Sequence, residues 1–208
     1  MTRRSSGFSL LEILIVVAIM MVLIAFAVPQ LLNATYNYRI NGSARQVQAL
    51  VYLGRVKATS RNSRYRLHVD TTATPNTYEL DVLCGPTASA AACTSWSLEA
   101  QAAVTPLPTG VSFSTSGLST VPPLTPAPTM TAGVPDQATD LIFNSRGLLL
   151  DPSTDAGPPL CTTSACTPAN STYCFYLQGT KARPIAICTV LTGRTTFWRL
   201  NGTTWEEQ

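Results

Sequence analysis

The sequence predicts an α+β chain. A long N-terminal α-helix, transmembrane in its first half and amphipathic in its second, packs on an antiparallel β-sheet domain with long Pro/Thr-rich loops. Three observations predict it. From Phe8 to Val28 the chain is an apolar run whose only ionisable residue is Glu12. Beyond that run Ile40, Ala44, Val47, Val51, Gly54 and Ala58 recur at three- and four-residue steps, the helical period. The remainder is a series of short β-type runs separated by turn signals.

The apolar run has the roughly 20 residues a helix needs to cross a bilayer. Arg3 and Arg4 precede it and no basic residue follows until Arg39. That asymmetry keeps the N-terminus cytoplasmic and sends the rest outward. A cleaved secretory signal has an apolar core of about 7–15 residues with a small-residue cleavage site after it. Here the core is longer, Pro29 and Gln30 close it, and the small residue Gly7 lies before it. A carboxylate within such a run costs about 2.5–3.5 kcal/mol on insertion scales, so Glu12 requires a reason.

Pro29 supplies no N–H, which predicts a kink or a local break in helical hydrogen bonding. Asn41-Gly42 is a second weak point. The helix is expected to end near Ser60 to Ser63. Tyr65-Arg66-Leu67-His68-Val69 is strand-like, and Thr77–Leu83 alternates as a half-buried strand does. Ser95–Leu98 and Val111–Phe113 are weaker strand candidates. Asp140-Leu141-Ile142-Phe143 runs into the turn Asn144-Ser145-Arg146-Gly147 and then Leu148–Leu150. Thr172–Leu177 and Pro184–Leu191 flank a hairpin turn over 178–183, and Thr195–Leu200 and Thr203–Trp205 flank the tight Asn201-Gly202 turn. Two segments, Thr105–Pro135 and Asp151–Asn170, are rich in Pro, Thr and Ser. Such stretches bury too little apolar surface to order themselves and are expected as surface loops.

Charged residues are only 12% of the 208, the balance of an exported surface rather than a cytosolic one. The formal charge of +3 includes Arg3 and Arg4; without them the chain is near neutral, so global charge selects no partner. Its distribution is uneven. Arg39, Arg45, Arg55, Lys57, Arg61, Arg64 and Arg66 come with no acid between them. This run reads as a helix face that meets phospholipid heads or acidic neighbours. The six cysteines are Cys84, Cys93, Cys161, Cys166, Cys174 and Cys188. An even count outside the cytoplasm reads as disulfides. Fifteen connectivities exist in principle. Locality favours Cys84–Cys93, Cys161–Cys166 and Cys174–Cys188, the last across the hairpin. Zinc would want CxxC-type pairs, which are absent, and His68 is the single histidine. No metal or cofactor is expected.

Gly7-Phe8-Ser9-Leu10-Leu11-Glu12 resembles the class III signal of type IV prepilins and type II secretion pseudopilins. Pro29 falls where that family commonly carries a proline. The resemblance implies that a prepilin peptidase cuts between Gly7 and Phe8 on the cytoplasmic side and that Phe8 is N-methylated. Cutting frees a positive amine at Phe8. A buried carboxylate is tolerable when paired with a cation, so Glu12 is expected to pair with the Phe8 amine of a neighbouring subunit during assembly. The chain then divides into a cytoplasmic leader (1–7), a transmembrane and fibre-core helix (8–29), its amphipathic continuation (30–62) and an extracytoplasmic β-rich domain (63–208). Phe143–Gly147 and Thr192-Gly193-Arg194 further resemble the GspH/FimT group of minor pilins and pseudopilins, from which the large Pro/Thr insertion departs.

No catalytic constellation is evident. Any Ser-His-Asp or Cys-His arrangement must use His68, which reads as an ordinary sheet or surface histidine, and Walker, GxGxxG and HExxH motifs are absent. Asp151 and Asp155 flank a polar turn and fall short of the converging oxygens calcium requires. The expected role is structural rather than enzymatic: a subunit of a type IV pilus or type II secretion pseudopilus. It would be held in the inner membrane by a single pass with its C-terminal domain in the periplasm, then incorporated into a fibre with other pilins. Some FimT-type minor pilins bind DNA during natural transformation, which sets the competing function. Lys181, Arg183, Arg194 and Arg199, with Phe197 and Trp198 for stacking, are the candidate DNA contacts; Glu206 and Glu207 oppose them.

Overall fold

A computed structural model describes residues 10–83, 96–100, 102–150 and 172–208. Gly7, Phe8, Cys84, Cys93, Asp151, Asp155, Cys161 and Cys166 lie outside the described residues. One helix, α1 (Leu10–Ser60), runs for 51 residues through both Pro29 and Gly42. The weak point at Asn41-Gly42 stays helical. The Asn41 side chain donates back to the Asn37 carbonyl at 2.6 Å, and Ser43 Oγ donates to the Arg39 carbonyl at 3.0 Å. These polar side chains bond within the helix instead of competing with it. Its far end falls at Ser60, within the expected window.

The sheet residues divide into two main antiparallel sheets rather than one. The first is built on β1 (Tyr65–Asp70) and β2 (Thr77–Leu83), with β3 (Trp96–Leu98) and β4 (Thr105–Pro106) pairing β2. The second holds β5 (Val111–Phe113) at one edge. A short hairpin, β6 (Met130–Thr131) with β7 (Val134–Pro135), stands apart. Strands β8 (Asp140–Phe143) and β9 (Leu149–Leu150) complete the first sheet, in the order β3-β2-β1-β8-β9. The second sheet continues with β10 (Tyr173–Gly179), β11 (Ala182–Thr189), β12 (Thr195–Asn201) and β13 (Thr204–Glu207), in the order β13-β12-β11-β10-β5. Cys174 lies opposite Cys188 in the β10–β11 ladder and the two form a disulfide, as the hairpin register predicts.

Both sheets pack on the second half of α1. The residues the helix buries are Ile40, Ser43, Ala44, Val47, Val51, Gly54 and Ala58, the predicted stripe with one serine added. Small side chains let the strands approach. A Cβ on Gly54 would stand 2.9 Å from Leu80 Cδ1, so any other residue here would have to push that methyl aside. Alternation along the strands supplies the rest of the core. Tyr65, Leu67 and Val69 of β1, Tyr78, Leu80 and Val82 of β2, Phe175 and Leu177 of β10, and Ile185 and Ile187 of β11 all face the stripe.

The segment Thr105–Pro135 is not a loose surface loop. The outer face of the second sheet is apolar as well: Cys174, Tyr176, Ala186, Cys188, Trp198 and Trp205 form a second buried cluster, roofed by Leu118 with Leu124 against it. Trp205 Nε1 donates to the Thr120 carbonyl at 3.0 Å, and Gln178 Nε2 donates to the Ser116 carbonyl at 2.8 Å. Proline cannot donate a ladder hydrogen bond, but a strap crossing a sheet face needs few of them. Two leucines and a shared tryptophan give it the burial that its composition conceals.

Candidate functional site

The first half of α1 stands away from the domain. From Leu10 to Ala34 every residue is exposed, and an 18-residue window there has mean hydropathy 3.0 with none of it buried in the protein. Leu10, Leu14, Met21, Leu23 and Phe26 are each at least 60% exposed, against a domain core at or near zero. Free apolar surface on this scale marks contact with lipid or with other proteins. Glu12, in the first helical turn, is the only ionisable side chain from Leu10 to Val28, and it is exposed in the single chain. Its carboxylate is thus available to a cation from outside this subunit.

The basic run that follows is used mostly inside the chain. Glu99, beyond the end of β3, has its side chain 1% exposed and accepts from Lys57 Nζ at 2.9 Å, Arg61 Nη1 at 3.0 Å and the Tyr65 hydroxyl at 2.9 Å. Burial alone would raise the Glu99 pKa. The Lys57 and Tyr65 hydrogen bonds, with the charges of Lys57 and Arg61, bring it below the ordinary value. Arg66 binds Asp81 through Nη2 at 2.5 Å and lies over the Trp96 ring at 4.9 Å. Lys57, Arg61 and Arg66 thus pair with carboxylates of the chain's own domain.

Arg55 joins the two short motifs of the C-terminal region. Its Nε donates to the Gly147 carbonyl and its Nη1 to the Gly193 carbonyl, both at 3.2 Å. The two glycines take φ of +73° and +75°, which other residues rarely adopt. A Cβ on Gly193 would lie 2.6 Å from Arg55 Nε and 2.7 Å from the Gly147 carbonyl oxygen. Phe143–Gly147 and Thr192-Gly193-Arg194 thus form one device, two glycine turns held on the helix by one guanidinium. The sequence shows the Asn144–Gly147 turn and marks Thr192-Gly193-Arg194 only as a motif of a closing strand; it does not show Arg55, because residues 92 and 138 positions apart share no local pattern.

His68 points to the outer face of the first sheet. Its Nδ1 is 2.9 Å from Asp140 Oδ1, and Arg66 Nε is 3.4 Å from the same oxygen. The Asp140 hydrogen bond raises the His68 pKa above its usual 6.5, against partial burial. The pair ties β1 to β8, which are neighbours in register.

The four candidate DNA contacts do not form one patch. Lys181 and Arg183 lie at the β10–β11 turn, beside the start of the domain-bound part of α1. The Lys181 ammonium stands 6.0 Å from the Tyr36 ring centre. Arg194 lies at the other end of the sheet, roughly 25 Å away by strand rise, and pairs with Glu207 at 3.5 Å. Arg199 faces the helix and donates to Asn41 Oδ1. What Arg199 does share is a groove between α1 and β12, lined with it by Tyr38, Asn41, Arg45, Phe197 and Gln208. No carboxylate side chain is among the lining residues described.

Residues 2–28 match the family model described as the prokaryotic N-terminal methylation motif. No curated protein and no solved structure matches the chain. The match takes in most of the exposed half of the helix, where Glu12 is the one ionisable residue, and it ends before the domain-bound half begins. By that segment the chain carries the N-terminal methylation motif of type IV pilin- and pseudopilin-like precursors.

Proposed function

We propose that this protein is a minor pilin or pseudopilin. Prepilin peptidase cuts it between Gly7 and Phe8, Phe8 is N-methylated, and the subunit leaves the inner membrane to initiate or cap a type IV pilus or type II secretion pseudopilus. The domain beyond Thr35 would then lie in the periplasm. The observation that carries this reading is the continuity of two unlike halves in one helix. The methylation motif opens an apolar stem with no partner among the described residues, and the same 51-residue helix ends as the centre of a β-rich domain. Lipid covers such a stem first; helices of other subunits replace the lipid in a fibre. Glu12 pairs with the Phe8 amine of the neighbour and sets the register. Mass spectrometry of the mature protein tests the processing: an N-terminal methyl-Phe8 is expected, and an intact Met1 overturns it. Incorporation of Glu12→Ala into sheared fibres at the wild-type level would remove the role given to Glu12.

A second reading is a DNA-capturing pilin for natural transformation. It is favoured by the groove between α1 and β12, where Arg45 and Arg199 stand beside Tyr38 and Phe197. Cations along a groove with aromatic faces suit a single strand. Salt-sensitive retardation of DNA, lost in Arg45→Gln with Arg199→Gln, is the expected result. Retardation that survives both substitutions removes this reading.

A further inference from the structure

The end of the domain nearest the apolar stem has a composition of its own. The first helix residue buried by the domain is Ile40, and Tyr36 is the first aromatic against it. Four turns meet there. The Gly179–Ala182 turn bonds the Pro108–Gly110 loop through Thr180 N to the Gly110 carbonyl at 3.1 Å, and Gly110 faces the Tyr36 ring. The Thr71–Asn76 turn joins them, its Asn76 carbonyl accepting from Leu107 N at 2.8 Å and its Asn76 Oδ1 accepting from Phe113 N at 2.9 Å. The β11–β12 register sets Ile185 opposite Arg199, which brings the Asn201–Thr204 turn beside Arg183.

Within these four turns there is no aspartate or glutamate. There are seven threonines, Thr71, Thr72, Thr74, Thr109, Thr180, Thr203 and Thr204, and all are exposed. Three cations stand at this end: Lys181 in the turn, Arg183 beside it and Arg39 on the helix, whose Nη1 donates to the Thr109 carbonyl at 3.3 Å. All three are exposed. Two carboxylates on the adjoining strand ends bond neutral groups and keep their charge, which leaves three cations against two acids. Asp70 accepts from the Thr72 hydroxyl at 2.6 Å and Glu206 from Asn201 Nδ2 at 3.0 Å.

Distance along the helix fixes what this end can touch. Tyr36 lies eight residues beyond Val28, about 12 Å at helical rise. The polar layer of one leaflet is about 5–8 Å deep, and long cationic side chains reach back toward it. Lys181, Arg183 and Arg39 therefore fall within about one Debye length, 8–10 Å, of the headgroups.

We propose that this end of the domain is a docking face for anionic phospholipid headgroups. Lys181, Arg183 and Arg39 meet lipid phosphates and the hydroxyls of Thr71, Thr74, Thr109, Thr203 and Thr204 donate to phosphate oxygens, which fixes the tilt of the domain while the subunit waits in the membrane. The proposal rests on the reading of the apolar half of α1 as membrane-spanning. Only two lysines occur in the sequence, Lys57 and Lys181, and Lys57 is held by Glu99 far from this end. The full chain in bilayer nanodiscs can therefore be acetylated with a neutral reagent and the two amines compared by mass spectrometry. On phosphatidylcholine with phosphatidylglycerol, Lys181 should react about fivefold more slowly relative to Lys57 than on phosphatidylcholine alone, and high salt should remove the difference. Arg39→Gln with Arg183→Gln should shrink the difference. An equal Lys181 to Lys57 ratio on both surfaces overturns the docking face. Release of the chain from native membranes by alkaline carbonate would instead overturn the spanning stem beneath it.

Discussion

The two halves of α1 obey the same helical geometry and have opposite fates. Leu10–Ala34 exposes every side chain; Thr35–Ser60 buries a stripe of seven residues against two sheets. The first half is apolar all round, so its burial must come from lipid or from other helices. The second is apolar on one narrow stripe, so a single domain suffices to cover it. Its Arg39, Arg55 and Lys57 bond carbonyls or a carboxylate of the same chain. A stem and a scaffold have been made in one helix by changing only the width of the apolar face. The stem is left to intermolecular contacts, and the scaffold is closed.

The largest effect that could break this comparison lies in the stem. Glu12→Ala should abolish fibre incorporation while the thermal melt of the domain stays unchanged, read by shearing assays and by circular dichroism of the same variant. A lowered melt would mean that the halves are not independent. In the scaffold, Glu99→Ala leaves Lys57, Arg61 and the Tyr65 hydroxyl without their acceptor. It should destabilise the domain by about 3 kcal/mol, since an ion pair broken from its buried side is costly. Denaturant unfolding of the purified chain reads this, and membrane insertion should be unaffected.

Arg55→Ala removes two charge-assisted hydrogen bonds from partly buried carbonyls and should cost about 2 kcal/mol. Hydrogen exchange should rise at Gly147 and Gly193 together, because one guanidinium holds both turns; a rise at only one would separate them. The smallest effect belongs to His68→Gln, under about 1 kcal/mol. The folded-state pKa of His68 is raised, so its stabilisation is complete below the usual 6.5 and is lost as pH climbs through the folded value. The variant should therefore approach the wild type in stability at alkaline pH and fall behind it in mild acid. Glu99 works in the other direction. Its pKa is lowered, so its contribution holds above the ordinary 4.5 and fades as pH falls through the folded value.

Much of the scaffold was legible because its signals are local. The stripe from Ile40 to Ala58 and the strands around Thr77–Leu83 and Asp140–Phe143 depend on periodicity within one element. The Cys174–Cys188 bridge follows from a hairpin whose two strands are adjacent in sequence. The Thr105–Pro135 strap was misread for the converse reason. Its composition denies it a core of its own, and the core it joins is supplied by Trp205, Tyr176 and Trp198 from strands far along the chain. The candidate DNA contacts were placed together for a similar reason. Lys181 and Arg194 are 13 positions apart in the sequence but at opposite ends of β11 and β12.

By itself the sequence determined the stem: an apolar run long enough for a bilayer, one carboxylate within it, and a glycine before it. These properties act on solvents and enzymes outside the chain, which meet residues in linear order. Tertiary structure alone decided the use of the arginines and the proline-rich segment. It set Lys57 and Arg61 on Glu99, Arg55 on two distant glycine turns, Lys181 beside Tyr36 and Leu118 over the second sheet. Charge and apolar area acquire their meaning from whatever lies within a few ångströms, and only the folded chain brings those partners into contact.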